Sequence, residues 1–370
     1  MKKIPFLLSL LIITLACTSE EVSIEDNSSD QFNRTALLTN WSDNIIVPSF
    51  ENYKNKLETL EEATTEFIDV PSVINLSALR TAWKEGYIAL QYVLLYDIGK
   101  AEELHLIEKA NTFPTNTQGI DENVTTQNYN LALISQFSKQ GFPAIDYLIN
   151  GISVSDTEIL NHYSTANSQH ATYLTALVTD LKNNINLVLN DWNSGYRSTF
   201  ISKTENNISG SVNQITNLFV KNLEKNIRTA KIGIPAGVFS NGTKFPEKVE
   251  AKYKGDISKT LLEHAIKSQK DFFNGTPFNG TTTGSSLASY LDYVNAVRDN
   301  QNLSAIINNQ FSSITTKSAL LSNNLYEQVN SNNSAMLAAY DALQQNVVYL
   351  KLDMMQALNI TVDYVDSDGD

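Results

Sequence analysis

From Asp156 to Trp192 the apolar residues Ile159, Tyr163, Ala166, Tyr173, Leu177, Leu181, Ile185, Val188 and Trp192 return mostly at three- and four-residue steps. That period is one stripe of an amphipathic helix, and no alternation of apolar and polar residues competes with it. Asn193-Ser194-Gly195 is expected to break this helix. A second stripe, Val212, Ile215, Leu218, Phe219, Leu223, Ile227 and Ala230, follows and ends before Gly233 and Pro235. A last helix is expected at 332–358, its methionines Met336, Met354 and Met355 filling gaps in a core. Earlier helices are expected at 34–67, 75–98, 128–137 and 257–273, with a further pair between 287 and 329. The Pro-, Gly- and Thr-rich segments 111–122, 233–246 and 274–284 read as loops between them. The expected fold class is all-α, two helical-bundle halves spanning 31–195 and 196–365, with an acidic tail at 366–370.

The N-terminus carries an address rather than a fold. Lys2 and Lys3 precede an apolar run, Ile4 to Ala16, that is too short to span a membrane as an ordinary helix. It ends in Ile13-Thr14-Leu15-Ala16-Cys17, which follows the logic of a bacterial lipobox. Residues 1–16 then read as a lipoprotein signal peptide and Cys17 as the lipidated residue. Cys17 is the sole cysteine, so no intrachain disulfide can form, and a diacylated Cys17 would hold the chain stably at a membrane. Residues 17–30, with Glu20, Glu21, Glu25, Asp26 and Asp30 among Ser and Asn, read as a hydrated tether. Those early acids resemble the export tag of surface lipoproteins in Bacteroidetes-type bacteria. The expected location is the outer membrane, facing either the periplasm or the medium. Losing residues 1–16 removes two lysines and no acid, which moves the formal charge from −13 to −15. So acidic a chain lacks the basic footprint of a nucleic-acid binder.

The densest chemical signal is Gly141-Phe142-Pro143-Ala144-Ile145-Asp146. A His and a carboxylate three residues apart on a helix could share a metal. Here Pro143 offers no ligand and suits a first helical turn, so the segment reads as a loop entering a short helix that packs Ile145, Leu148 and Ile149 inward. Asp146 near the positive end of that helix is explained by helix electrostatics alone, with a surviving single-carboxylate role in ion or ligand binding as the alternative.

The segment resembles the Gly-x-His-x-x-Glu motif of the imelysin-like family, also filed as a peptidase family, with Pro143 at the His position and Asp146 at the Glu position. Arg80-Thr81-Ala82-Trp83 is similar to the family's Arg-x-x-Trp segment, and Phe245 to Tyr253 followed by Asp256-Ile257-Ser258 resembles the approach to a C-terminal family helix. Residues 227–237, 358–363 and the terminal acidic run also look like the family's bacterial lipoprotein branch. The resemblance covers nearly the whole chain beyond the signal peptide. It implies two duplicated helical bundles with a groove between them, faced or shaped by Arg80, Trp83, Gly141, Pro143 and Asp146. Taken singly, Arg80 reads as an ion-paired helix residue and Trp83 as a core anchor.

The function this implies is a non-catalytic binding lipoprotein linked to metal or nutrient acquisition, anchored in the membrane through Cys17 and working with an outer-membrane transport or surface partner. The alternative is a divergent metal-dependent peptidase. A divalent metal or iron is the cofactor that the resemblance raises, with Asp146 as a ligand. Asp366, Asp368 and Asp370 alternate like the opening of a calcium loop, but the chain ends before the later Gly and Glu, so a frayed tail is the simpler reading. Of the histidines His105, His162, His170 and His264, the pair His162 and His170 is expected about 12 Å apart along one helix, too far to share a metal.

Overall fold

Pro48 shows how the first long helix is built. The chain is helical from Arg34 through Asp69, and a proline inside it removes one N–H and crowds the carbonyl four residues earlier. The backbone widens into π turns at Trp41–Ile46 immediately before it, and the Asn44 carbonyl left without its helical donor accepts the Phe278 N–H at 2.7 Å. The computed structural model describes residues 30–364, and from Asn33 onward they form one compact unit. Cys17, the signal peptide, nearly all of the tether, and Asp366, Asp368 and Asp370 lie outside the described residues.

The fold is all-α apart from a two-residue hairpin, Val297–Arg298 against Gln301–Asn302, whose turn residues Asp299 and Asn300 both have positive φ. The first group of helices is α1 (Val47–Asp69), α2 (Val73–Leu90), α3 (Gly141–Asp146), α4 (Asp156–Tyr163) and α5 (Gln169–Asp191), with α1 lying against both α2 and α5. The second is α6 (Ser211–Lys221), which runs on through π turns at Asn222–Gly233, then α7 (Ser258–Asn274), α8 (Leu303–Ala319) and α9 (Asn333–Val348). An aromatic seam ties the groups together: Trp41 stacks on Phe272 at 4.6 Å, and Tyr96 and Phe219 meet the same ring.

Several expected boundaries are corrected. The 156–192 stripe is two helices, because Asn167 turns left-handed and Ser168 caps α5 by accepting the Ala171 N–H. The break expected at Asn193–Gly195 is present: Gly195, at φ 161° and ψ −28°, is non-helical and kinks the chain between α5 and the helix Arg197–Ser202. No α-helix forms over 128–137, where a 3-10 helix covers only Ile134–Lys139. The helix nearby is Thr117–Thr126, which begins inside the expected 111–122 loop and runs past it, capped by the Asn116 side chain and anchored by buried Ile120 and Val124. Helix α2 ends at Leu90, short of Ile98, and three helices rather than two fill 287–329.

Candidate functional site

The motif segment is held from three sides. Gly141 has φ +74°, and a Cβ there would sit 2.3 Å from the Lys109 carbonyl oxygen and 2.4 Å from that of Ala110, so only glycine lets the chain pass this close. Gly141→Ala should therefore lower stability by about 2–3 kcal/mol, readable as a fall in the urea midpoint. Phe142 stacks on Tyr87 at 4.8 Å, and the Trp83 indole donates to the Phe142 carbonyl at 3.1 Å. Arg80 donates from Nε and Nη2 to the Ile149 carbonyl, at 3.0 and 2.8 Å, and pairs with Asp156. Arg80 and Trp83 thus grip the two ends of the segment, acting on its backbone.

Asp146 is not a first-turn carboxylate decorating a helix dipole. It is the sixth residue of a helix that continues through π turns to Gly151, and it is 1 % exposed. Its Oδ2 accepts the Tyr253 N–H at 2.9 Å, and its Oδ1 accepts the Lys254 N–H and the Asn150 amide, each at 3.0 Å. Burial pushes the carboxyl up to about 7, opposed by those three donors. Asp146 therefore pins the 250–254 loop to the motif helix.

Pro143 and Asp146 line a cavity of about 170 Å³ whose opposite wall includes Glu247, Val249 and Tyr253. A metal does not fit these residues. The Pro143 side chain supplies no donor atom, and both Asp146 oxygens face N–H groups that would have to be displaced. Among the described residues no three His, Cys, Asp or Glu side chains converge as a metal cluster.

Beside this cavity lies a buried polar chain that carries no motif. Tyr87 donates to Asn111 Oδ1 at 2.6 Å, Asn111 donates to Glu250 Oε1 at 2.8 Å, and Lys231 donates to Glu250 Oε2 and, at 2.9 Å, to Gln91. Lys231 and Glu250 are each 2 % exposed. Burial draws the Lys231 ammonium below its usual range, against the pull of Glu250. Next to it a groove of about 180 Å³ is lined by Asp97, Glu108, Lys221, Asn222 and Asn226, and an adjoining one of about 190 Å³ by Asn111, Asn226 and Lys231. Burial, and after it the Glu108 charge, lifts Asp97 to about 6, and its Oδ1 is buried without a hydrogen-bond partner.

The imelysin profile, Peptidase M75, matches residues 46–351. The chain belongs to the imelysin family. The imelysin fold is also what the solved structures share with it. One, described as an iron-regulated protein A precursor from Parabacteroides distasonis ATCC 8503, aligns with a TM-score of 0.72 at 15% identity over 87% of this chain and 94% of that one. Another, an imelysin-like protein from Psychrobacter arcticum 273-4, gives 0.69 at 14% identity over 90% and 97%. No curated protein matches the sequence. In this imelysin chain Gly141, Pro143 and Asp146 sit together, with Arg80 and Trp83 behind them, whereas Lys231, Glu250 and Asp97 were missed by sequence reasoning. An ionisable residue inside or beside an apolar stripe was the available signal, but it does not say which partner it will meet.

The histidines are placed differently from expectation. His264 Nδ1 lies 2.8 Å from the Tyr92 hydroxyl, and His105 is exposed beside Phe137. His162 and His170 are not 12 Å apart: the turn at 164–168 brings their rings to 4.6 Å.

Proposed function

We propose that this imelysin-family chain is a non-catalytic binding lipoprotein, anchored in the outer membrane through Cys17 and serving metal or nutrient acquisition beside a transport or surface partner. The observation that carries the non-catalytic part is the use of Asp146: both of its oxygens are spent on the Tyr253 and Lys254 amides and on Asn150, and Pro143 has nothing to offer a substrate or a metal. The grooves lined by Asp97, Asn111, Lys221 and Asn226 supply mixed charge and amide groups, which suits a small polar ligand better than a hydrolytic centre. The lipobox-like run at Cys17 supports the anchor, and among the described residues no helix is long and apolar enough to cross a membrane. The iron-regulated description of the Parabacteroides structure supports a link to acquisition.

The test uses the soluble chain starting after Asp30, beside its Asp146→Ala form. Elemental analysis, calorimetry with iron, zinc, copper and calcium, and peptide-hydrolysis assays are run on both. No turnover from either form, and no metal whose retention depends on Asp146, is the expected result. Hydrolysis that Asp146→Ala abolishes would sink the binding reading in favour of a divergent metal-dependent peptidase. Lipidation is checked separately: Cys17→Ser should release the protein from the membrane fraction and end its labelling by radioactive palmitate.

A further inference from the structure

The turn between α4 and α5 assembles something the sequence hides. Its left-handed residue is Asn167, and Ser168 fixes the geometry, donating from Oγ to the His162 carbonyl at 2.6 Å while accepting the Ala171 N–H at 3.1 Å. This folds His162, near the end of α4, onto His170, the second residue of α5. The imidazole centroids are 4.6 Å apart and the rings are tilted by 51°. Ser153 Oγ lies 3.1 Å from His162 Nε2. Among the described residues neither nitrogen of His170, nor Nδ1 of His162, has a hydrogen-bond partner.

Both rings are partly exposed, so water and ions reach them. Burial, and after it the neighbouring His162, holds His170 below the usual imidazole range, against a weaker pull from Asp121. Two imidazoles on a turn tied by two hydrogen bonds are a chelate that costs little ordering when an ion arrives. Imidazole nitrogen selects late first-row cations over calcium or magnesium, and copper(II) is bound most tightly of that series.

We propose that His162 and His170 form a two-imidazole binding site for a late first-row divalent cation, copper(II) foremost, with Ser153 orienting His162 and water completing the coordination. The site is separate from the motif and owes nothing to Asp146.

The experiment uses the full chain after residue 16 carrying Cys17→Ser, which removes the thiol as a competing copper ligand. Copper(II) is titrated at pH 7.5 by calorimetry, and the complex is examined by electron paramagnetic resonance. One equivalent should bind, with hyperfine structure from two imidazole nitrogens. His162→Ala and His170→Ala should each weaken binding at least about tenfold, while Asp146→Ala and His264→Ala leave it unchanged. Affinity should also fall as the pH is lowered, because protons compete with the cation for the imidazole nitrogens. His162→Gln and His170→Gln, with circular dichroism matching the parent, give the same reading if an alanine variant fails to fold. Copper affinity that survives both histidine substitutions, or that is lost equally in Asp146→Ala, would overturn the proposal.

Discussion

Glu250→Ala should destabilise the protein by about 3–5 kcal/mol, among the largest effects of any single substitution in this chain. The reason is what it leaves behind. Lys231, 2 % exposed, would keep only the Gln91 carbonyl oxygen as a partner, and Asn111 would lose the acceptor for its amide. Lys231→Met alone creates the mirror problem, an unpaired buried carboxylate, and should cost a similar amount. The pair replaced together, Lys231→Met with Glu250→Leu, should be far milder than the sum, because no charge then remains to be desolvated. Urea unfolding of the four proteins closes the cycle, and additivity would mean that the two side chains act independently. The pH dependence gives a second reading. Lys231 has its folded pKa drawn down, so the unfolded chain binds its proton more readily and stability rises with pH toward the ordinary lysine range. Without Glu250 that depression deepens. The Glu250→Ala protein should thus recover part of its loss between pH 7 and pH 10, more than the parent gains over the same interval.

This pair also marks where the sequence stops being legible. The helices of the second group were readable because their stripes are long: Val212, Ile215, Phe219, Leu223 and Ile227, and Met336, Leu343, Val347, Leu350 and Met354, recur with the helical period and are buried with it. The family was readable from Arg80, Trp83 and Gly141 to Asp146, residues whose spacing is local. The short elements were harder. Thr117–Thr126 depends on one asparagine cap and two apolar residues, too little to outweigh its Gly and Thr content. The break at 164–168 hid inside a stripe because Tyr163 and Tyr173 are both buried and keep the apolar count going across the turn. That miss concealed the His162–His170 contact, since two residues on one helix and two residues across a turn look alike on a linear count. The role of Asp146 was unreadable for a different reason. Its partners, Tyr253 and Lys254, offer backbone N–H groups, which every non-proline residue carries and no sequence pattern advertises.

Asp146 makes the pH prediction with the largest swing. Its folded carboxyl titrates near 7 against 3.8 for an ordinary aspartate, so between those values the folded protein holds a proton that the unfolded chain has released. The contribution to stability is fully present below about pH 4 and is lost as pH rises through 7. Roughly three pKa units amount to about 4 kcal/mol. Asp146→Asn cannot titrate, so the difference in unfolding free energy between parent and variant isolates this group from every other carboxylate. That difference should favour the parent most below about pH 4 and shrink by about 4 kcal/mol by pH 8. Asp146→Ala should be worse than Asp146→Asn throughout, by about 1–3 kcal/mol, because it leaves the Tyr253 and Lys254 amides with no acceptor where the asparagine retains one. A pH-independent difference would mean that the three donors hold Asp146 ionised against burial. The latch would then be an anion clamped by N–H groups, and Asp146 would be still less available to a ligand at any pH the protein meets.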